Sequence, residues 1–256
     1  MDLTYIERYE LKYLLPERLV PAVRAAIRPL CTLDEHAGPT GSYAIRSHYL
    51  DTDRFDLFFA NEREQRDRFK ARIRSYPGAT APVFLEIKRR VGDVILKSRA
   101  SLPEGEWQRV VESPQEAART GKPGVVKFVD RVHRYHLRPR LMVEYDREAY
   151  ESIIDEYARV TFDRRIVCQV KETLGNAVDE RRWRHVDHPA QTRMFETVCV
   201  LELKFERRPP RWMTHMIQSL DLVRMSFSKY CYGVAAQLLL PTVRSSSMLG
   251  GGSRDA

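Results

Sequence analysis

The chain has 256 residues, of which 43% are hydrophobic and 30% are charged, and its formal net charge at pH 7 is +8. These values exclude a disordered chain and leave ample length for a core, while no apolar run reaches the ~20 residues that a membrane-spanning helix requires. The positive balance favours an acidic partner, namely nucleic acid, anionic lipid or a phosphate-rich small molecule.

Alternating apolar and polar residues predict eight β-strands. In chain order they lie at 8–16, 43–52, 68–78, 83–91, 95–102, 140–151, 157–170 and 197–206. Helical spacing of apolar residues predicts helices at 16–30, 54–63, 104–119, 124–136, 211–225 and 229–240. This order is typical of an α+β fold with a large antiparallel sheet, and eight strands are enough to close a β-barrel. We expect one domain over residues 1–243 and a disordered Ser/Gly-rich tail over residues 244–256.

The third predicted strand carries four cations on one face. In RFKARIRS (68–75), every second residue is Arg or Lys, and the residues between them are apolar or small. Neighbouring cations on this face lie ~6.8 Å apart and repel by roughly 2.4 kcal/mol at an effective dielectric of about 20. Water and salt screen this repulsion, so a solvated outer face is one interpretation. The other is a wall that faces a polyanion.

Other strands repeat this pattern with a glutamate within or beside the cations, at Glu10, Glu86, Glu144 and Glu202. Glutamates would repel a nucleic-acid backbone, and stacking aromatics among the cations are hard to find, so the sequence argues against nucleic acid as a partner. Carboxylates among phosphate-binding cations are expected where Mg²⁺ or Mn²⁺ sits on the same phosphates. A structural ion pair between Glu202 and an arginine is the alternative.

Seven motifs occur in the order found in a known family. They are RYELKYLL, RFKARIRSYPG, VFLEIKRR, VEYDREAY, ARVTFD, VLELKF and SFSKYCYGV, within residues 5–240. The chain resembles the polyphosphate polymerase domain of the vacuolar transporter chaperone (VTC) complex, one of the triphosphate tunnel metalloenzymes, which include the CYTH proteins. The resemblance implies an eight-stranded antiparallel β-barrel with flanking helices, whose lumen binds triphosphate or polyphosphate. It also implies a divalent metal and transfer of the ATP γ-phosphate onto a growing polyphosphate chain.

The resemblance and the charged strand faces together assign roles to individual residues. The expected catalytic cations are Lys12, Arg72, Arg74, Lys88 and Lys229. The expected phosphate ligands are Lys70, Lys97, Arg147, Arg159 and Lys204. The expected ligands of Mn²⁺ or Mg²⁺ are Glu202, Glu10 and Glu86.

One motif departs from the family pattern. The CYTH-type first strand reads E-x-E-x-K, whereas this chain has Arg8, Glu10 and Lys12 at those positions. A cation in place of a carboxylate indicates fewer metal contacts and favours a polymerase over a hydrolase. Two alternatives stay open, namely an inorganic triphosphatase of the same fold and a non-catalytic polyphosphate- or nucleic-acid-binding protein. The expected partners are ATP and polyphosphate or triphosphate, and the resemblance leaves room for a membrane-protein partner.

Two further features predict a cytoplasmic protein. The first 16 residues lack the apolar segment of a signal peptide. The four cysteines are scattered without a Cys-x-x-Cys pair, which indicates reduced thiols rather than a disulfide framework: Cys31, Cys168, Cys199 and Cys231. The segment HVDH at 185–188 has a short histidine spacing that is common in loops, and it is a weak signal for zinc.

Overall fold

The structure, a computed structural model, describes residues 8–92 and 94–238. The predicted tail at 244–256 and the last two residues of the predicted helix at 229–240 lie outside the described residues. The strands in the described part are β1 (Arg8–Pro16), β2 (Cys31–Leu33), β3 (Tyr43–Asp51), β4 (Asp67–Ser75), β5 (Val83–Val91), β6 (Val94–Leu102), β7 (Arg138–Ser152), β8 (Ala158–Val170), β9 (Arg184–His185) and β10 (Val198–Glu206).

These strands form one antiparallel sheet in the order β1-β10-β8-β7-β3-β4-β5-β6, with β2 beside β7 and β9 beside β8. Among the residues described, the edge strands β1 and β6 do not pair with each other. The large antiparallel sheet is therefore confirmed, whereas closure into an eight-stranded barrel is not. Alternation identifies the apolar face of each strand, but closure depends on strand tilt and register stagger, which alternation does not report.

Helices flank the sheet, at α1 (Val20–Ile27), α2 (Asp56–Glu62), α3 (Trp107–Glu112), α4 (Pro114–Arg119), α5 (Pro123–Arg134), α6 (Pro189–Thr192), α7 (Arg211–Ser219) and α8 (Lys229–Leu238). The single helix predicted at 104–119 is wrong. Ser113 is extended there, with φ −132°, and its side chain caps α4 by accepting a hydrogen bond from the Glu116 amide. The helix predicted at 211–225 ends early, because Asp221 adopts a left-handed conformation with φ 48°.

Two apolar clusters pack helices on the outer face of the sheet. Phe69, Ala71 and Ile73 of β4 are buried in one cluster, which also includes residues of α3, α4 and α5. The second cluster joins β1, β8 and β10 to α1 and α7. The apolar residues of β4 therefore face helices, and the cations that alternate with them face the concave side of the sheet.

Helix α8 lies on that concave side. Leu14 and Val143 share the strand faces of Lys12 and Arg147 by alternation, and both belong to a buried cluster with residues of α8. Gly233 permits the close approach, since a Cβ there would lie 2.6 Å from Leu141 Cδ2. The helix thus fills one part of the concave side and leaves the rest as a cavity.

Three short elements, β2, β9 and α6, have no counterpart among the predicted elements. They contain two to four residues each, which is too short for a periodic pattern to develop. The four cysteines are buried and free, as reduced thiols would be. In the described part of the chain, no helix combines the length and apolar character needed to cross a membrane.

Candidate functional site

A cavity of about 2330 Å³ occupies the concave side of the sheet. The thirteen side chains that the sequence assigned to the site all line it: Glu10, Lys12, Lys70, Arg72, Arg74, Glu86, Lys88, Lys97, Arg147, Arg159, Glu202, Lys204 and Lys229. They come from seven strands and from α8. The predicted residues are therefore brought together in space, while their roles toward phosphate or metal stay predictions.

Glu86 organises the cations of β4 and β6. The residue is 2% exposed, and its Oε2 accepts a hydrogen bond of 2.7 Å from Arg72 Nε and lies 3.3 Å from Arg74 Nη2. Lys97 and Arg99 approach the other carboxylate oxygen from β6, at 3.4 and 3.7 Å. Burial alone would raise the pKa of Glu86, but Arg72 and Lys97 lower it below its ordinary value. The carboxylate stays ionised and holds four cations along one wall.

Lys12 joins two carboxylates of β1 and β10. Its Nζ lies 3.1 Å from Glu10 Oε1 and 3.2 Å from Glu202 Oε1, and it donates to the Phe227 carbonyl at 3.3 Å. Lys204 Nζ contacts the other oxygen of Glu202 at 2.9 Å. Burial alone would raise the pKa of Glu10, but the Lys12 ammonium lowers it to about 2. Both glutamates therefore remain anionic and act as acceptors.

Asp163 is a charged residue of this region that the site prediction omitted. It is fully buried and accepts hydrogen bonds of 2.6 and 2.7 Å from Arg147 and of 2.5 Å from Lys229. Arg147 and Lys229 each also approach Glu202, at 3.5 Å. Alternation places Asp163 on the same strand face as Arg159, but only the pairing of β7 with β8 brings Arg147 beside it. The sequence therefore predicts which face of β8 carries Asp163, but not which residues pair with it.

Lys88 connects β5, next to one edge of the open sheet, with β1 at the other edge. It belongs to β5, and its Nζ lies 3.7 Å from Glu10 Oε2 on β1. The side chain is 48% exposed toward the cavity, yet desolvation by the surrounding wall lowers its pKa to about 8. Nearby, Lys70 Nζ donates to Ser228 Oγ at 2.9 Å. Side chains thus span the gap that backbone pairing leaves.

The amino end of α8 faces the cavity. Phe227, Ser228 and Lys229 line it, and Ser228 Oγ accepts a hydrogen bond from the Cys231 amide at 3.2 Å. The first amides of a helix carry partial positive charge, which favours anions. This end of the helix therefore adds to the positive potential of the Lys229 ammonium.

Arg159 already has acidic partners. Its guanidinium contacts Asp34 beside β2 and lies 3.5 Å from Glu151 Oε1 on β7. A phosphate would have to compete with these carboxylates. The positive charge of Arg159 is thus largely neutralised by these carboxylates in the absence of a ligand.

A metal site built from protein side chains alone is not formed in residues 8–92 and 94–238, because they contain no group of three His, Cys, Asp or Glu that could hold an ion. His185 and His188 of the HVDH segment are therefore not part of such a group. Glu10 and Glu202, however, both reach Lys12 Nζ, so their oxygens converge on one cation. Two carboxylates with phosphate oxygens are the donor set that Mg²⁺ and Mn²⁺ take in phosphoryl-transfer sites. Glu86 fits such a set less well, because its oxygens are directed at Arg72, Arg74, Lys97 and Arg99, whereas Glu10 and Glu202 share Lys12.

Residues 7–238 match the family model described as the VTC domain. The chain belongs to the VTC domain family. The match includes every charged residue that lines the cavity. Membership indicates a polyphosphate-related function for this VTC domain.

Two solved structures are similar to this VTC domain over most of their length. A candidate adenylate cyclase from Bacillus halodurans is 15% identical, with a TM-score of 0.45, over 86% of this chain and 92% of that one. A protein of Pyrococcus horikoshii OT3 is 12% identical, with a TM-score of 0.40, over 84% of this chain and 86% of that one. Similarity at this level carries no argument about activity.

Proposed function

We propose that this VTC domain is an ATP-dependent polyphosphate polymerase, which transfers the γ-phosphate of ATP onto an inorganic polyphosphate chain inside the cavity. The observation that carries the proposal is the convergence of cations from separate strands on one elongated space. Along β4 alone, Arg68 and Arg74 are six residues apart, which corresponds to ~20 Å. A row of this length suits a chain of phosphates better than a single phosphate.

The chemistry requires positioning and charge neutralisation more than covalent participation by the protein. An oxygen of the terminal phosphate of the chain forms a bond to the γ-phosphorus of ATP. The bond between that phosphorus and the β–γ bridging oxygen breaks, and this oxygen leaves with ADP. Arg72, Arg74 and Arg147 would hold non-bridging oxygens, since a guanidinium can bind two of them at once. Lys12 and Lys229 would add charge where it develops on the leaving group.

Glu10 and Glu202 are the residues that we propose to hold Mn²⁺ or Mg²⁺ together with phosphate oxygens. When bound, the ion would neutralise charge on adjacent phosphates. Glu86 would instead keep Arg72, Arg74 and Lys97 in place, because its oxygens are directed at these cations rather than at a common point with the other glutamates.

The state of these glutamates favours transfer over hydrolysis. A hydrolase that activates water with a protein side chain needs a general base whose pKa lies near the working pH. Glu10, Glu86 and Glu202 instead have lowered pKa values, because the cations that contact them outweigh the effect of burial. The terminal phosphate of a polyphosphate chain is already anionic and needs no such base.

The test is to incubate the purified protein with ATP and Mn²⁺ and to separate the products on a gel that resolves polyphosphate. The proposal expects polymer that grows with time and is absent in Arg72→Ala. Release of orthophosphate from triphosphate without polymer would identify a triphosphatase. Neither product, with polyphosphate binding retained, would identify a non-catalytic binding protein.

A further inference from the structure

Three aromatic side chains form a continuous cluster on the wall of the cavity. The ring centroids of Tyr43 and Tyr76 are 6.0 Å apart, and Tyr76 meets Phe84 edge to face, also at 6.0 Å. The Arg99 guanidinium lies over the Phe84 ring, 3.5 Å from its centroid. All four side chains line the cavity and are only partly covered or exposed. Their rings are thus accessible to a ligand, which separates them from the buried apolar clusters.

This aromatic cluster borders the phosphate-binding cations. Phe84 is paired in register with Arg74 across β4 and β5, and Tyr43 is paired with Arg147 across β3 and β7. Residues paired in this way project to the same side of a sheet. A ligand with a ring on the cluster could therefore extend an anionic group directly onto Arg74 and Arg147.

The other end of β4 and β5 carries mainly cations rather than aromatic side chains. Arg68, Lys70, Lys88 and Arg90 line the cavity there, about 14–20 Å from Arg74 and Phe84 by strand rise. Two acidic residues lie at this end, since Glu64 lines the cavity and Glu10 Oε2 is 3.7 Å from Lys88 Nζ. Four cations in this short region attract a polyanion.

The aromatic end also carries acidic side chains. Asp34, Glu35 and Glu151 line the cavity, and Asp34 is near enough to Tyr43 to contribute to raising the pKa of its hydroxyl, an effect dominated by burial. Arg159 pairs with Asp34 and Glu151, so these carboxylates reduce, but do not reverse, the attraction of this end for a phosphate chain. They do not repel an uncharged nucleoside, whose ring can stack on aromatic and guanidinium planes.

We infer that the cluster of Tyr43, Tyr76, Phe84 and Arg99 is a nucleobase subsite, on which the base of the nucleotide substrate stacks while its triphosphate extends toward Arg74 and Arg147. The inference rests on the proposed function, because it names where the nucleoside of ATP lies in the same cavity. It also places the polyphosphate chain at the end lined by Arg68 and Lys88.

The test compares two ligands that share phosphates and differ in the base. Isothermal titration calorimetry gives the Kd of ATP and of inorganic tripolyphosphate for the wild type, Tyr43→Ala and Tyr76→Ala. Stacking of one base contributes ~1–3 kcal/mol, so loss of a ring should raise the Kd of ATP by at least ~5-fold. The Kd of tripolyphosphate should not change, and Tyr76→Phe should restore ATP binding. Phe195→Ala, which removes a fully exposed ring outside the cavity, is the matched control.

Equal weakening of both ligands, or unchanged ATP binding, would overturn the subsite and leave the phosphate site intact. Failure of the wild type to bind either ligand would instead reject the proposed function. A second measurement needs no variant. Photolabelling of the wild type with 8-azido-ATP should mark peptides containing Tyr43, Tyr76 or Phe84, whereas label confined to peptides around Arg68 and Arg90 would contradict the inference.

Discussion

Asp163 and Arg147 face each other on neighbouring strands, and two hydrogen bonds of 2.6 and 2.7 Å join carboxylate to guanidinium. The same carboxylate accepts a hydrogen bond of 2.5 Å from Lys229 of α8. One buried carboxylate next to the cavity-lining residues thus fixes two of the cations that the sequence assigned to the site. It also ties α8 to the sheet.

Asp163→Asn should destabilise the protein. Removing one partner of a buried ion pair leaves Arg147 and Lys229 short of a counter-charge, which costs about 3–5 kcal/mol. Urea unfolding measured by circular dichroism gives the free energy of unfolding. Addition of tripolyphosphate should recover more stability in this variant than in the wild type, because phosphate supplies the missing negative charge.

The matched control for this variant is Asp67→Asn. Asp67 makes two hydrogen bonds to Arg89 between β4 and β5, in an arrangement like that of Asp163, but both partners are exposed. Exposed pairs are screened and contribute little. If the two substitutions changed the unfolding midpoint equally, burial of Asp163 would not be the source of its effect.

Arg72→Lys should slow ATP-dependent polyphosphate synthesis by roughly 10²–10³-fold, the usual loss when one preorganised donor to developing charge is removed. Lysine keeps the charge but not the fork that binds two oxygens. Arg46→Lys is the control, since Arg46 pairs with Glu144 at 2.7 Å and does not line the cavity. A rate for Arg72→Lys as high as that of the control would remove Arg72 from the proposed site.

Phosphate binding should weaken as the pH rises from 7 to 9. The pKa of Lys88 is lowered to about 8, so its ammonium loses its proton within this range and its charge no longer attracts phosphate. Fluorescence titration with tripolyphosphate across the range should show this step in the wild type. Lys88→Arg should bind without the step, whereas Lys88→Met should bind weakly at every pH.

Lys88 should also affect stability. As the pH rises, its contribution to the free energy of unfolding should increase, whereas phosphate binding weakens. Because the pKa of Lys88 is lower in the folded than in the unfolded state, the unfolded state binds more protons between pH 8 and about 10.4. The contribution of Lys88 to the free energy of unfolding therefore increases as pH rises through this window. Urea unfolding of the wild type and Lys88→Met at pH 7.5 and pH 9.5 isolates the contribution, and identical pH dependence in both proteins would argue against the shift.

Gly233→Ala should destabilise the packing of α8 against the sheet. The added Cβ would lie 2.6 Å from Leu141 Cδ2 and 3.4 Å from Cys168 Cβ, so either the Leu141 side chain must shift within its buried cluster or the helix must move from the sheet. Overpacking of this kind costs about 1–3 kcal/mol. Gly105→Ala, where no atom lies within 4 Å of the new Cβ, is the control for differential scanning calorimetry. Similar melting temperatures for the two variants would show that the space between α8 and the sheet accommodates an added methyl group.

Much of this arrangement could be predicted from alternation. In β4, the faces of Phe69 and Lys70 are as predicted, because a period of two leaves each side chain only one side of the sheet. The charged strand residues assigned to the site line the cavity for the same reason, whereas Lys229 lies on α8 and was assigned from the family resemblance. Alternation is a property of a single strand. It predicts the face of each residue wherever the strand is long enough for the period of two to appear.

What the sequence could not provide depends on contacts between distant segments. The partners of Asp163 appear only when β7 pairs with β8, and the aromatic cluster appears only when Tyr43 and Phe84 are brought to one end of the cavity. Barrel closure depends on tilt and stagger summed over every strand. The break at Ser113 did have a local signal, since Ser-Pro before a helical run is typical of a new helix start.

The most direct test of a phosphate-binding cavity is a crystal structure of the protein with tripolyphosphate. We expect the three phosphates on the concave side of the sheet, within hydrogen-bonding distance of Arg72, Arg74 and Arg147. Phosphates found only on outer-surface cations such as Arg89, with the cavity side chains still paired among themselves as they are here, would contradict the account.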